Sequence, residues 1–251
     1  MTTVRELATM IDHSILLPTM TDSDLERECM VARQYDVASV CVKPYAVSRA
    51  VELLEGSDVL VGCVVGFPAG NSKIEVKAFE AATACEDGAV EIDMVINIGK
   101  ALQGEWDYVE EEIATVTSVC HSHGAIVKVI FETDYVARQE DIIRLCEICT
   151  NADADYVKTS TGFGFVKGDD GKYSYTGATI PTLELMKRSV GPGVKVKAAG
   201  GVRSLDQLLA VREAGCSRCG ATATATMMED AIGRLGLPPE PATHTTPPSF
   251  R

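Results

Sequence analysis

Eight short apolar runs recur along this chain, at residues 9–13, 38–42, 59–66, 89–96, 126–131, 155–159, 194–198 and 218–221. Between most of them lie stretches with apolar residues three and four apart, at 23–35, 73–85, 108–123, 139–151, 180–189 and 204–214. Short strands alternating with amphipathic helices build a parallel sheet, because each parallel step needs a crossover connection. Eight such steps in 251 residues are the arithmetic of an α/β fold, a single (β/α)8 TIM barrel. The runs are almost continuously apolar, as strands covered by helices are. A doubly wound open sheet would ordinarily turn through Gly-x-Gly-x-x-Gly after its first strand. Here the first run leads into His13-Ser-Ile-Leu-Leu-Pro18, which has no glycine.

Bulk properties narrow the partners. The chain is 46% hydrophobic, enough for a sizeable core, and its net charge is −13. That charge disfavours nucleic acid and anionic membranes, so an anionic substrate must be held by local groups. No run of about 18 apolar residues is present, so no transmembrane helix is expected. The N-terminal residues lack the apolar centre of a signal peptide, and a cytoplasmic location is expected. Nine cysteines, an odd number, read as reduced thiols. Cys146/Cys149 and Cys216/Cys219 have Cys-x-x-Cys spacing, but the first pair lies in a helical pattern and the second straddles a helix end and a strand. Structural zinc pairs sit on compact knuckles, so core cysteines are the reading here and no metal is expected. From Leu237 the chain is rich in proline and threonine and does not continue a helix. The expected organisation is a barrel over 1–236 and a flexible tail over 237–251.

Lysines carry the chemical signal. Lys158 interrupts one apolar run and Lys197 the next, and each run ends in a glycine-containing turn. Lysine is rarely buried without a reason. Two lysines in one cavity repel, and the one more easily deprotonated approaches neutrality near pH 7. A neutral amine forms a Schiff base with a carbonyl substrate. In a barrel the polar residues near the C-terminal ends of strands face the active site. That rule adds Asp12 and His13 from the first strand, Cys41 and then Lys43 from the second, Asp93 from the fourth and Lys128 from the fifth. Any one of them alone reads as a buried ion pair; together at similar depth they read as a site. Cys41 read alone is a small core residue, and its place on the second strand makes it a candidate contact.

Anion binding is the second signal. Phosphate sites in barrels commonly use the loops after the seventh and eighth strands. Here those loops carry Gly200-Gly201 and Gly220-Ala-Thr222, and the sixth strand adds Thr161-Gly162. Glycines let backbone N–H groups approach an anion, and a following helix N-terminus supplies a favourable dipole. Gly66-Phe-Pro-Ala-Gly70 reads as a turn into the next helix.

The motifs Asp12-His13, Val40-Cys-Val42, Val65-Gly-Phe-Pro68, Glu91-Ile-Asp-Met-Val-Ile-Asn97, Lys128-Val-Ile-Phe-Glu-Thr133, Val157-Lys-Thr-Ser-Thr-Gly-Phe163 and Val196-Lys-Ala-Ala-Gly-Gly-Val-Arg203 occur in this order. From roughly residue 8 to 235 the chain resembles the deoxyribose-phosphate aldolase family. The resemblance implies a cofactor-free, metal-independent class I aldolase that cleaves 2-deoxy-D-ribose 5-phosphate to D-glyceraldehyde 3-phosphate and acetaldehyde. It implies Lys158 as the Schiff-base nucleophile, Asp93 as proton donor and acceptor, and Lys197 as the lysine that lowers the pKa of Lys158. It places phosphate at Thr161, Gly162, Gly200, Gly201, Gly220 and Thr222; Asp12, Cys41 and Lys128, given by the strand-end rule, are the further candidate substrate contacts. Its partners are a small sugar phosphate and aldehydes, with a homo-oligomer, dimer or tetramer, as the expected assembly. Two departures stand out: Thr222-Ala223 replaces frequent serines, and the chain ends in Ser249-Phe-Arg251 where some members have a tyrosine. The alternatives are another lysine-imine barrel aldolase with a ketose-phosphate donor and a non-catalytic sugar-phosphate-binding barrel. The latter has no need of Lys158, Lys197 and Asp93.

Overall fold

Side-chain alternation decides which way each strand faces. In β1 (Ile11–Ile15) the isoleucines at both ends and His13 point out, while Asp12 and Ser14 point in. The same alternation repeats in β2 (Ser39–Val42), β3 (Leu60–Val65), β4 (Glu91–Val95), β5 (Ile126–Ile130) and β6 (Tyr156–Lys158). After β6 come the two short strands β7 (Val166–Lys167) and β8 (Tyr173–Ser174), which pair antiparallel as an exposed hairpin. Then β9 (Lys195–Ala199) and β10 (Arg218–Ala221) complete a closed barrel. Its order is β1-β2-β3-β4-β5-β6-β9-β10 and back to β1, with every neighbour parallel. This computed structural model describes residues 2–236, so the expected tail at 237–251 lies outside the described residues.

The helices are α1 (Val4–Ala8), α2 (Asp22–Gln34), α3 (Val47–Leu54), α4 (Ile74–Glu86), α5 (Ile98–Gln103), α6 (Trp106–Ser122), α7 (Gln139–Asn151), α8 (Ile180–Ser189), α9 (Leu205–Glu213) and α10 (Thr224–Leu235). Capping residues fix several starts. Thr21 accepts from Asp24 N while Asp24 bonds back to Thr21 N, and Ser204 with Gln207 does the same for α9. The main core is the ring between barrel and helices. There Val40, Cys63, Ile92, Val127, Val157 and Val196, the outward side chains of six strands, are buried against helical residues such as Leu25, Ile113 and Leu183. Inward positions are different: Asp12, Glu91, Asp93, Lys128, Lys158 and Lys197 are all buried and polar. Branched aliphatics usually fill a barrel interior. Here much of the middle is charged.

Two expectations need correction. The first strand does not end at Asp12-His13 but continues to Ile15. Its inward residues are polar, so an apolar run stops two residues too early. The strands are also not uniformly apolar, for the same reason. The helices α1, α3, α5 and α10 and the β7–β8 hairpin extend the expected element list. All nine cysteines are free; Cys146 and Cys149 are buried in α7, and Cys216 and Cys219 are buried near β10. Among the described residues no helix is long and apolar enough to cross a membrane.

Candidate active site

Register brings the two central lysines together. Lys158 on β6 is directly opposite Lys197 on β9, and Asp93 on β4 is opposite Lys128 on β5. Thr159 fastens the first pair: its Oγ1 donates to Ala199 O (2.9 Å) and accepts from Ala199 N (3.0 Å). Asp93 Oδ2 receives Lys158 Nζ at 2.7 Å and Lys197 Nζ at 2.6 Å. Lys197 Nζ also lies 2.5 Å from Asp12 Oδ2. Deeper in the barrel Lys128 Nζ meets Asp12 Oδ2 (2.9 Å), Glu91 Oε2 (2.5 Å) and Asp93 Oδ1 (3.2 Å). Arg218 closes the cluster from below through Asp12 Oδ1 (2.6 Å) and Glu91 Oε2 (2.5 Å).

Charge balance singles out one amine. The carboxylates of Asp12, Glu91 and Asp93 are matched by Lys128, Lys197 and Arg218, which leaves Lys158 in excess. Burial lowers the Lys158 pKa; Asp93 opposes this and the Lys197 charge adds to it, so the amine ends below its ordinary value. Burial works against charge on Lys197 as well, but Asp12 and Asp93 overturn it and the pKa is raised. Lys128 ends well above its ordinary value, because Asp12, Asp93 and Glu91 outweigh burial. The carboxyls of Asp12 and Asp93 would be raised by burial, yet the lysines hold both well below the usual range. Charge-paired neighbours therefore surround one amine pushed toward its nucleophilic form.

Lys158 also has access. It forms part of the wall of a cavity of about 290 Å³ at the C-terminal end of the barrel. That volume is at the small end for ligand pockets. Thr161 and Gly162, Gly200 and Gly201, and Gly220 and Thr222 line it from three loops. Gly162, Gly200 and Gly201 take φ of +86°, +90° and +85°, a conformation that favours glycine. The N-cap of α10, Ala223, gives no side-chain hydrogen bond, so the first N–H groups of that helix are left for an anion.

Other expected residues sit elsewhere. Asp12 and Lys128 belong to the ion cluster below the cavity, not to its lining. Cys41 is buried beside Leu16 and Val64, and burial, with Asp93, pushes its thiol up to about 11. It is not among the residues that line the pocket, whereas its neighbour Leu16 is. His13 points outward, with Nδ1 2.7 Å from Thr224 Oγ1 and Nε2 3.0 Å from Glu28 Oε2. Burial lowers its pKa against the pull of Glu28. The neutral ring donates from Nε2 to the carboxylate, and Nδ1 accepts the threonine proton. Its role is to fix the start of α10. Lys43 donates to Leu17 O and Met20 O outside the cavity. The hydroxyl of Thr161 is bonded to Glu132 and accepts from Phe163 N (2.9 Å), so that residue shapes the loop. Glu132 itself is buried at φ +55°, and burial raises its pKa against the Thr161 bonds.

Sequence reasoning missed several contributors. Ser14 lines the cavity, hidden by the misplaced strand end. Arg203 lines it too, and its signal was the third position after Gly200 in a motif already quoted. Tyr175 reaches the mouth from the hairpin, and no motif marked it.

A small cavity with a lowered, accessible lysine beside a shared carboxylate and three glycine loops defines a barrel lyase of the aldolase class. The comparisons are consistent with it. The DeoC/LacD family aldolase model matches residues 7–234. A deoxyribose-phosphate aldolase of Rhodopirellula baltica is 46% identical over 93% of this chain and 92% of its own. One of Thermococcus gammatolerans is 46% identical over 90% of this chain and 96% of its own. Among solved structures, a putative deoxyribose-phosphate aldolase from Coccidioides immitis superposes with a TM-score of 0.83 at 36% identity, over 91% of this chain and 87% of that one. A tetrameric deoxyribose phosphate aldolase from Aeropyrum pernix gives 0.81 at 28% identity, over 91% and 92%. The chain belongs to the DeoC/LacD aldolase family, and it is a carbon–carbon lyase with a TIM-barrel fold.

Proposed function

We propose that the chain cleaves 2-deoxy-D-ribose 5-phosphate reversibly to D-glyceraldehyde 3-phosphate and acetaldehyde through a Schiff base on Lys158. The observation that carries this is that, among the described residues, Lys158 Nζ has a single partner, Asp93 at 2.7 Å, on an amine that borders the cavity and has a lowered pKa. The neutral amine adds to the C1 aldehyde of the open-chain sugar, and uptake of one proton from water with loss of the carbinol oxygen as water gives an iminium. The iminium accepts the electron pair of the C2–C3 bond as that bond breaks. The C3 hydroxyl gives up its proton to Asp93 through water, and C3 becomes the aldehyde of the three-carbon product. The enamine carbon then takes a proton back from the same relay, and hydrolysis releases acetaldehyde and the free lysine. Lys197 stays charged throughout, anchors Asp93 and discourages protonation of Lys158. Lys128 and Arg218 balance Asp12, Glu91 and Asp93 from below.

The phosphate is received by Gly162, Gly200, Gly201, Gly220, Thr222 and the start of α10, with Arg203 as the cation at the rim. The names of the relatives and the three glycine loops support this placement. The same reading takes the barrel as the catalytic domain and puts the protein in the cytoplasm. A homo-oligomer is part of it: a relative is tetrameric, and Val76 and Phe79 are 51% and 74% exposed on α4. The test is turnover: wild type should consume the sugar phosphate in a coupled glyceraldehyde 3-phosphate assay, and Lys158→Ala should not. Equal rates for the two would overturn the proposal.

A further inference from the structure

We infer that Tyr175 is a specificity-determining residue that selects a phosphorylated over an unphosphorylated aldose. This rests on the aldolase reading above and assigns a role to the β7–β8 hairpin, which the mechanism does not use.

The hairpin is fastened to the barrel at both legs. Asp134 accepts from Thr176 N (2.5 Å) and Gly177 N (3.1 Å). The Tyr135 hydroxyl donates to Phe165 O (3.1 Å). Across the neck, the Phe165 and Tyr175 rings meet edge to face at 5.4 Å. The C-terminal leg presses on the phosphate loop itself. Ala178 N donates to Gly200 O (3.0 Å), and a Cβ on Gly177, whose φ is +70°, would lie 2.5 Å from that oxygen. Hairpin and glycine loop thus form one packed unit, and the position of Tyr175 is set by the loop that receives the anion.

Tyr175 lines the cavity, and its hydroxyl accepts from Arg203 Nη2 at 3.0 Å. A phenol that accepts one hydrogen bond still has its own proton to donate. Among the described residues no acceptor meets it. Arg203 and the glycine loops share this wall, and a guanidinium offers donors only. The partner suited to that phenol is an anionic oxygen brought by the substrate. Guanidinium and phenol, held one hydrogen bond apart, then address two oxygens of one phosphomonoester. A sugar hydroxyl in the same place satisfies one donor and leaves the other unmet.

The experiment measures kcat and KM for 2-deoxy-D-ribose 5-phosphate and for 2-deoxy-D-ribose, with inorganic phosphate as competitive inhibitor. The proteins are wild type, Tyr175→Phe, Arg203→Met and the double variant. Phenylalanine keeps the ring stack on Phe165, so the hairpin keeps its neck. Tyr175→Phe should raise KM for the phosphorylated sugar about tenfold, the size expected for one lost hydrogen bond to a charged group at a partly open site. Most of that loss should be absent with the unphosphorylated sugar, so the preference between the two falls about fivefold or more. Inhibition by inorganic phosphate should weaken in parallel, and the double variant should lose less than the product of the single losses. Equal losses on both sugars, or unchanged kinetics, would overturn the assignment. Wild type inert toward both sugars would overturn the aldolase reading and this inference with it, a result distinct from the first two.

Discussion

Lys77 and Lys158 are two buried lysines set on either side of the same barrel wall. Lys77, on α4, is fully buried between wall and helices, and its amine donates to Gly70 O (2.7 Å), Val95 O (2.7 Å) and Glu112 Oε1 (2.6 Å). Glu112 in turn accepts from Asn97 N (2.7 Å), so the pair ties together the loops that follow β3 and β4. Lys158, inside the wall, has the Asp93 carboxylate and a cavity. Burial lowers the pKa of both amines. Desolvation is therefore not what makes a lysine reactive. Lys77 has every proton matched and no room for a carbonyl; Lys158 has one partner and space above it.

The largest expected effect follows from that difference. Lys158→Met should abolish turnover, by on the order of 10⁴-fold or more, since no other group replaces a covalent nucleophile. Its stability should rise. With a lowered folded pKa, the unfolded chain binds more protons between that value and 10.5, so Lys158 costs stability below 10.5 and the cost fades as pH rises toward it. A fall in melting temperature for Lys158→Met would break the comparison.

Lys77→Met should do the reverse. It leaves Glu112 buried and uncompensated, a loss of about 3–5 kcal/mol. Adding Glu112→Leu should recover much of it, and urea titration of the single and double variants checks both. Lys197→Leu tests electrostatics inside the wall. It removes a positive neighbour of Lys158 and frees Asp93 to attract that amine more strongly; both changes raise the Lys158 pKa. The alkaline rise of kcat/KM should move to higher pH, and an unmoved profile would remove Lys197 from this role. The smallest effect concerns thiols. A hydrogen bond from Cys120 is the main cause that holds half-buried Cys85 at about 7, whereas burial puts Cys41 at about 11. Iodoacetamide at neutral pH should label Cys85 well before Cys41 by peptide mass spectrometry.

The same contrast explains what was legible in the sequence. Lys158, Lys197, Lys128 and Asp93 stood out because each interrupts an apolar run with period-two alternation, where a charge has to point into the barrel. Gly200-Gly201 and Gly220 were legible as close-approach turns because glycines follow strands there, and all three line the cavity. Lys77 was invisible. A lysine on an amphipathic helix reads as a solvated position, and only the close approach of Gly70 and Glu112 makes its place internal. Arg218 opens a short strand, where a charge reads as a boundary, yet it closes the ion cluster. The expected ends of β1 stopped short at Ser14 because an apolar criterion fails on strands with a polar inner face. Tyr175 depended on a tertiary clasp by Asp134, which no local pattern records.

The most direct test is borohydride reduction in the presence of acetaldehyde, followed by peptide mapping of every lysine. An ethyl adduct on Lys158, with Lys77 and Lys197 unmodified, is the predicted result. An adduct on Lys197 in place of Lys158, or no adduct in folded protein, would contradict the claim that Lys158 is the one buried amine left free to react.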